Sequence, residues 1–221
     1  SHLLLNIKMM PSLNMCGFLY TCADLGGFGA DTTEDLILRW MQFGLFTPLM
    51  RNHAALGTRE QELYQFSNSQ ACGNMVKIRY SLLPYLYSEY MKAALRDEMM
   101  FRPLAFDYPE DPFADQVEDQ LMIGDSIMVT PVYEQNATGR YVYLPEDMML
   151  VTMRSPQDYD VKTMEKGHHY VPAAMEELIF FIRKNHVVPM AKSAKSVADM
   201  DFEHLDLLGY VTEEAAYELY D

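Results

Sequence analysis

Two apolar segments, residues 15–23 and 45–50, lie on either side of an amphipathic segment, and this arrangement restricts the fold more than any other feature. Nearly continuous apolar runs are typical of strands buried on both faces, which occur in parallel sheets. A strand, a helix and a second strand in this order form the repeating unit of a barrel or a doubly wound sheet. Each apolar segment is followed by chemically functional residues, which are Asp24, Phe28, Arg51 and His53.

These four residues suit the recognition of a pyranose sugar. Carboxylate and imidazole groups can hydrogen-bond to neighbouring hydroxyls, and an aromatic ring can cover the apolar C–H face of the sugar. Each residue alone has a more ordinary interpretation, because an aspartate before two glycines is commonly a turn residue and a phenylalanine is commonly core. Asp24 is also a catalytic candidate, since barrel enzymes carry their chemistry at strand ends. From the residues alone, a site role and an ordinary structural role for Asp24, Phe28, Arg51 and His53 both remain open.

Two helices are predicted around the first apolar segment. Residues 1–13 place their apolar side chains on one helical face. Thr32 or Thr33 can cap the second helix, whose buried stripe includes Trp40. Because Trp40 lies in mid-helix at helical spacing, we interpret it as a core residue rather than as a sugar platform.

A loop and a long helix are predicted after the second apolar segment. Residues 54–68 are polar and rich in glutamate, which predicts a loop with a short helix that borders the pocket. Residues 71–96 predict the long helix. Its tyrosines occur at helical spacing, so we expect them to pack one domain on the next rather than to bind carbohydrate.

Short apolar runs separated by turn signals follow residue 99, and this pattern predicts an antiparallel β-sandwich. The candidate strands are residues 121–132, 140–144, 148–153, 169–171 and 178–183. Residues 184–186 predict a tight turn in which Asn185 adopts a positive φ angle. Residues 191–199 predict a linker, and residues 202–211 predict the first strand of a further β module.

Several motifs occur in the order and spacing of one enzyme family. They are Ala-Asp-Leu-Gly-Gly-Phe at 23–28, Met-Arg-Asn-His at 50–53, Arg-Tyr-Ser-Leu-Leu-Pro-Tyr-Leu-Tyr at 79–87 and Arg-Pro-Leu at 102–104. The chain resembles the C-terminal half of the family 31 glycoside hydrolases, the α-glucosidase family. The resemblance implies an α/β plus all-β fold: the last two strands and helices of a (β/α)8 (TIM) barrel, followed by an antiparallel β-sandwich. It implies a barrel part at residues 1–98, a sandwich at 99–190, and a linker with the start of a further β module at 191–221.

The same resemblance implies a retaining α-glucosidase that hydrolyses terminal α-linked glucose. Such enzymes use two carboxyl groups roughly 5 Å apart. In the family both lie upstream of the position of Ser1, so no catalytic residue is expected in this chain, which alone is expected to be inactive. The matching positions imply that His53 contacts ring hydroxyls, Phe28 packs beside the sugar and Asp24 supports the pocket. Arg51 is expected to pair with a carboxylate, for which Asp24 is the candidate.

One residue departs from the pattern of the family. Cys22 stands where the family has glycine, so a side chain enters a crowded part of the fold. We expect this thiol to shift Asp24 or to narrow the pocket.

The acidic composition restricts the partners of the chain. Aspartate and glutamate total 32 against 17 lysines and arginines, a net charge of −15, which argues against nucleic acids and anionic membranes. No apolar run reaches the roughly 18 residues of a membrane span, and the N-terminus shows no signal-peptide pattern. The three cysteines lack metal-ligand spacing and predict reduced thiols in a cytoplasmic protein. Neither a metal nor a cofactor is expected.

Two functions from different classes remain. The first is a fragment of an α-glucosidase that acts on α-glucoside oligosaccharides. The second is a non-catalytic carbohydrate-binding or scaffold protein built from a barrel remnant and a β-sandwich. A short parallel unit leaves one edge open, so association into a homo-oligomer is a further expectation. The preference for α-1,4 or α-1,6 linkages is left open.

Overall fold

Helices dominate the first hundred residues of the computed structural model, which describes residues 2–220. Helix α1 spans His2–Met15, α2 spans Glu34–Gly44 and α3 spans Ser69–Arg96, with a short 3-10 turn at Leu63–Gln65. The three helices were predicted within a few residues of these bounds. The prediction of a loop with a short helix at residues 54–68 is also confirmed.

The N-terminal cap of α2 explains where this helix begins. Thr33 is in an extended conformation, and its hydroxyl accepts a hydrogen bond from the Leu36 N–H at 3.2 Å. This bond satisfies one of the donors that every helix leaves free in its first turn. Trp40 is 3% exposed and lies in the main apolar core, so its interpretation as a core residue is confirmed.

Both predicted barrel strands are wrong as elements, because no strand forms between residues 2 and 100 of the described chain. Residues 45–47 continue the turns of α2, and Arg79 of α3 donates to the carbonyls of Leu45, Thr47 and Pro48 at 2.7–2.9 Å. These carbonyls are therefore not available to a sheet. Residues 15–23 leave the end of α1 as an irregular and largely exposed segment.

A general property of parallel sheets accounts for this difference. A strand that is buried on both faces needs a neighbour along each side to satisfy its backbone groups. Among the described residues the backbone bonds between these two parts of the chain lie beyond the apolar segments, where the Leu25 N–H donates to the Arg51 carbonyl at 2.9 Å and the Ala55 N–H donates to the Phe28 carbonyl at 2.8 Å. Two short parallel segments without further strands form too few hydrogen bonds to persist as a ladder.

The second half of the chain is an antiparallel β domain. Its main sheet has the order β1-β2-β3-β8-β5-β6, and two-stranded ribbons are formed by β4 with β7 and by β9 with β10. The strands are β1 Phe101–Pro103, β2 Leu121–Ile123, β3 Ile127–Val129, β4 Gly139–Leu144, β5 Met148–Ser155, β6 Asp158–Met164, β7 Gly167–Pro172, β8 Leu178–Arg183, β9 His186–Met190 and β10 Asp206–Tyr210. Helix α4, Leu104–Asp107, follows β1 directly.

The strand predictions hold for β4, β5, β7, β8 and β10, although β10 pairs with β9 instead of starting a further β module. Residues 121–132 were predicted as one strand but form the hairpin of β2 and β3, which turns at Gly124 with φ of +57°. Strand β6 was missed because its residues are mostly exposed and polar, as expected of an edge strand that pairs only with β5. The predicted turn at residues 184–186 is present, and Asn185 has φ of +59°.

The main sheet separates two apolar cores. One face carries Val151, Phe180 and Ile182 and packs against the helices. The other face carries Leu150 and Phe181 and packs against the β4–β7 ribbon. Because successive side chains of a strand point to opposite faces, the continuous apolar run of β8 supplies both cores.

Buried polar contacts join the helices to the β domain. The Tyr85 hydroxyl of α3 donates to the Ile123 carbonyl at 2.5 Å and accepts from the N–H groups of Ser126 and Ile127 at 3.0 and 3.2 Å. In α2 the fully buried Arg39 donates to the carbonyls of three alanines in the β domain, at positions 137, 173 and 174. The helices therefore sit on the β domain through specific bonds as well as apolar contact.

The C-terminal segment returns across α3. Strand β10 pairs with β9, and the chain then places Tyr217 over α3. The Tyr217 hydroxyl donates to Glu89 at 2.6 Å, and Glu89 forms a buried ion pair with Lys92 at 2.8 Å. The Lys92 ammonium also lies 4.1 Å from the centre of the Tyr217 ring. Both charges of this ion pair are thus compensated although they are removed from water.

Candidate functional site

A glycine turn shapes the first half of the site. Asp24 accepts a hydrogen bond at its carbonyl from the Gly27 N–H at 3.0 Å, and Gly26 and Gly27 have φ angles of +81° and +92°. A side chain would be strained at both glycines, because L residues rarely adopt this region. The turn buries Leu25 and leaves Asp24 and Phe28 at one edge of the helical part.

Asp24 and Arg51 form an ion pair. The Arg51 Nε and Nη2 atoms lie 2.7 and 2.6 Å from Asp24 Oδ1. The Asp24 side chain is 14% exposed and that of Arg51 is 52% exposed, so the carboxylate is the more enclosed partner. Because both nitrogens contact Oδ1, the other carboxylate oxygen, Oδ2, faces no donor in residues 2–220 and can accept from a ligand hydroxyl.

Phe28 and His53 form a second pair beside the first. Their ring centres are 5.3 Å apart and the ring planes are inclined by 32°. Both side chains are exposed, and the Ala55 N–H donates to the Phe28 carbonyl at 2.8 Å, which holds the two segments side by side. The structure therefore brings all four predicted site residues together at the ends of adjacent segments.

Gln61 is a positioning residue that the sequence reasoning missed. Its side-chain amide donates to Asn52 Oδ1 at 3.0 Å and to the Leu25 carbonyl at 3.2 Å, and Asn52 donates back to the Gln61 carbonyl at 2.7 Å. These bonds tie together the glycine turn, the segment that carries Arg51 and the loop at 54–68. The burial of a glutamine in a loop produces no periodic pattern in the sequence. The one sequence feature that could have indicated Gln61 is its position in the loop predicted to border the pocket.

The Cys22 thiol lies within the electrostatic field of the ion pair. Burial raises the pKa of Cys22, with a smaller contribution from the Asp24 carboxylate, and the Arg51 guanidinium opposes both. The neutral thiol is therefore favoured, which suits a side chain that fills space rather than one that reacts.

The arrangement can bind a neutral polyhydroxy ligand. It offers the free Asp24 oxygen as an acceptor, the Arg51 guanidinium as a donor, and imidazole and phenyl rings as adjacent surfaces. No group of three or more histidine, cysteine, aspartate or glutamate side chains in residues 2–220 is placed to hold a metal ion. No described helix is long and apolar enough to cross a membrane.

Comparison with known families identifies the two halves of the chain. Residues 1–89 match the glycosyl hydrolase family 31 TIM-barrel domain, and residues 97–188 match the glycosyl hydrolase family 31 C-terminal domain. The chain belongs to glycoside hydrolase family 31. The family assignment and the fold class predicted from the sequence, a partial barrel followed by a β-sandwich, are confirmed.

Curated relatives of this family 31 chain are α-glucosidases. It is 30% identical to α-glucosidase 2 of Bacillus thermoamyloliquefaciens over 100% of its own length and 28% of that protein. It is 34% identical to the lysosomal α-glucosidase of Bos taurus over 94% of its length and 24% of that protein. The chain thus spans about a quarter of the length of the curated relatives it matches.

Solved structures show the same fold. The Tris-bound glucosidase II alpha subunit superposes with a TM-score of 0.81 at 27% identity, over 89% of this chain and 22% of that one. A cycloalternan-forming enzyme from Listeria monocytogenes gives a TM-score of 0.85 over 99% of this chain and 22% of that one. Its 23% identity supports the fold alone.

Proposed function

We propose that this chain forms one wall of the sugar pocket of a retaining α-glucosidase that releases terminal α-linked glucose from oligosaccharides. The observation that carries the proposal is the pairing of Asp24 with Arg51 directly beside Phe28 and His53, in a chain of family 31. Relatives named as α-glucosidases support this activity.

Each residue has a distinct part in the proposed pocket. His53 hydrogen-bonds to ring hydroxyls of the bound glucose, and Phe28 covers an apolar face of the sugar. The Asp24–Arg51 ion pair fixes both side chains before the substrate arrives, so that little conformational entropy is lost on binding. Gln61 keeps the two segments in register through its bonds to Asn52 and to the Leu25 carbonyl.

The carboxyl groups that cleave the glycosidic bond belong, in this proposal, to a part of the enzyme outside the chain. Asp24 is a poor nucleophile here, because its ion pair with Arg51 stabilises the carboxylate in place. A retaining mechanism also needs a second carboxyl group roughly 5 Å away. The chain made alone is therefore expected to bind glucose or maltose weakly and to show no turnover. A cytoplasmic location stays a prediction.

Steady-state kinetics on an α-glucoside test the proposal in an enzyme that joins this chain to its upstream coding region. We predict that His53→Ala lowers kcat/KM by about 10² or more, since a hydrogen bond that strengthens toward the transition state contributes a few kcal/mol. Phe28→Ala is expected to raise KM with a smaller effect on kcat. The matched control is His204→Ala. His204 is an exposed histidine that contacts Asp201, and both residues lie far from His53 in the sequence.

Two results would count against this proposal. If kcat/KM of both His53→Ala and Phe28→Ala stayed within twofold of the unmodified enzyme, neither residue would have the proposed role in substrate binding. Sugar binding without turnover in the longer enzyme would favour the alternative, a non-catalytic carbohydrate-binding protein. Parallel assays with maltose and isomaltose determine the linkage preference.

A further inference from the structure

The β4–β7 ribbon has one buried apolar face and an outer face that carries aromatic side chains, of which Tyr141 and Tyr170 are exposed and Tyr143 is buried. Val142 and Val171 point into the core beneath the ribbon. The alternate positions form the outer face, where Tyr141 lies opposite Tyr170 and Tyr143 lies opposite His168. Because side chains alternate along a strand, all four rings lie on the same side of the ribbon.

These rings and Phe113 form two groups of contacting rings along the ribbon. The ring centres of Tyr141 and Tyr170 are 5.2 Å apart, and those of Tyr143 and His168 are 4.9 Å apart. Phe113 lies 5.6 Å from Tyr143 and 5.3 Å from His168. We call Phe113, Tyr141, Tyr143, His168 and Tyr170 the aromatic strip. Tyr141 is 78% exposed and Tyr170 is 50% exposed, so both rings are accessible to a ligand.

A cavity lies at each end of the aromatic strip. The first has a volume of about 720 Å³, and Phe113, Tyr143 and His168 line it together with Glu110 and Lys166. The second has a volume of about 450 Å³ and is lined by Tyr141 and Tyr170 with polar groups that include Asp119 and Asn136. Rings in the middle and hydrogen-bonding groups at both ends are the chemistry of a site for an elongated amphipathic ligand.

Asp111 holds the first cavity in shape. Its Oδ2 atom accepts hydrogen bonds from the Tyr143 hydroxyl at 2.6 Å and from Lys166 Nζ at 2.7 Å, and its Oδ1 atom accepts from the Phe113 N–H at 3.0 Å. These bonds lower the pKa of Asp111 to about 2, so the carboxylate stays charged and bonded at neutral pH. The Tyr143 hydroxyl and the backbone that carries Phe113 are therefore held in place before a ligand arrives.

Charge decides between classes of ligand. The chain carries a net charge of −15, and the first cavity holds Glu110 as well as the Asp111–Lys166 ion pair. A nucleic acid or an acidic peptide is repelled. A neutral ligand with apolar faces and many hydroxyls meets no such penalty, and sugar rings stack on aromatic side chains through their C–H faces.

We propose that the aromatic strip binds a neutral oligosaccharide of pyranose units, laid along the β4–β7 ribbon between the two cavities. This surface lies in the C-terminal domain, apart from the cluster of Asp24, Phe28, Arg51 and His53. It holds an extended part of a polymer and does no chemistry. The choice of an α-glucan as the probe rests on the proposed function, whereas the strip itself does not.

Native gel electrophoresis of the 221-residue chain tests the inference directly, since its charge of −15 gives it high mobility. Soluble starch cast into the gel is expected to retard the unmodified chain relative to a gel without polysaccharide. Tyr141→Ala and Tyr170→Ala are each expected to weaken the retardation about three- to tenfold, because each removes a ring. Tyr141→Phe keeps the ring and is expected to retain binding.

Two further variants separate this surface from other sites. Tyr159→Ala removes a half-exposed tyrosine from β6, outside the strip, and is expected to leave the retardation unchanged. His53→Ala removes a residue of the candidate site in the helical part, so any retardation that it weakens is assigned to that site and not to the aromatic strip. Loss of retardation in His53→Ala but not in Tyr141→Ala would show that the aromatic strip does not bind the polysaccharide. The proposed function would still be supported by that result.

Other outcomes would overturn the inference as well. Equal mobility of the unmodified chain with and without starch would show that the strip binds no such polymer. A dimer in size-exclusion chromatography that Tyr141→Ala abolishes would assign the strip to contact between two copies. Retardation that Tyr159→Ala weakens as much as Tyr141→Ala would show that any exposed tyrosine suffices.

Discussion

Cys22 lies beside the candidate site and is half-buried. It precedes Asp24 by two residues, and its thiol interacts electrostatically with both members of the Asp24–Arg51 ion pair. The thiol is kept neutral by burial, so its effect on a ligand is steric rather than ionic. The family resemblance places glycine at this position, where no side chain would meet the sugar.

We predict that Cys22→Gly leaves the fold intact and raises activity or broadens the range of accepted disaccharides. The comparison is kcat/KM on maltose and on isomaltose, with Cys16→Gly as the control because Cys16 is an exposed thiol outside the site. Glycine at position 22 also raises the conformational entropy of the unfolded chain, so a small decrease in the free energy of unfolding is expected. Unchanged kinetics on both sugars would show that the pocket tolerates the thiol.

Among the elements, helix α3 makes the most specific connection between the two halves of the chain. Its Tyr85 hydroxyl takes part in three hydrogen bonds to the β2–β3 hairpin, and the side chain is fully buried. Burial and the nearby Glu89 carboxylate raise the pKa of Tyr85 well above its ordinary value, so the phenol stays protonated. A protonated hydroxyl can donate to one carbonyl and accept from two amides at once.

Tyr85→Phe is predicted to lower the free energy of unfolding by about 3 kcal/mol, because it leaves buried backbone groups without partners. Urea denaturation followed by circular dichroism measures the change. The control is Tyr87→Phe, which removes the hydroxyl of an exposed tyrosine on the same helix and is expected to change stability by less than about 0.5 kcal/mol. Equal stability of the two variants would mean that the hairpin does not depend on Tyr85.

The elements differ in how far their sequence could predict them. Helices α2 and α3 are local structures with a cap and a regular apolar spacing, so a short window of sequence contains their signal. Residues 15–23 have the composition of a buried strand, yet a strand also needs partners that no local pattern supplies. The β2–β3 hairpin was missed although Gly124, Asp125 and Ser126 form a turn signal, because this short interruption was interpreted as part of a single apolar strand.

The candidate site was predictable for a different reason. Asp24, Phe28, Arg51 and His53 follow two apolar segments in the same way, and adjacent segments of a barrel end at the same edge. The structure brings these residues together even though neither segment is a strand, because Leu25 and Arg51 still share a backbone bond. Gln61 was not predictable, since its bonds depend on how a loop folds back.

For the whole molecule, the structure places a stable β domain beside a barrel part with an incomplete edge. Residues 18–23 are the least supported stretch of that edge: they are exposed or half-buried and have few backbone hydrogen bonds. Strand β8, in contrast, is buried and pairs with β3 and β5 on its two sides. Local opening is easiest where buried contacts and backbone bonds are few.

We predict that amides of residues 18–23 exchange with solvent about 10³-fold faster than those of β8 in the chain made alone. Hydrogen exchange read by mass spectrometry gives both rates in one experiment. The long helix α3 serves as an internal control, because it belongs to the same half of the chain and is expected to exchange slowly. Slow amide exchange at residues 18–23 in a monomer would contradict the prediction. It would mean that this segment is stable without further strands beside it.

The close approach of Gly124 to Glu89 also constrains how this chain can evolve. A Cβ atom at position 124 would overlap the Glu89 carboxylate, which Lys92 and Tyr217 hold in place. Loss of the Glu89 carboxylate alone would leave the Lys92 ammonium buried without an anionic partner, which would lower the free energy of unfolding by several kcal/mol. Neutralising Lys92 first would in the same way leave the Glu89 carboxylate without its cation, so positions 89 and 92 can change only together. Space for a side chain at position 124 exists only after position 89 has shortened.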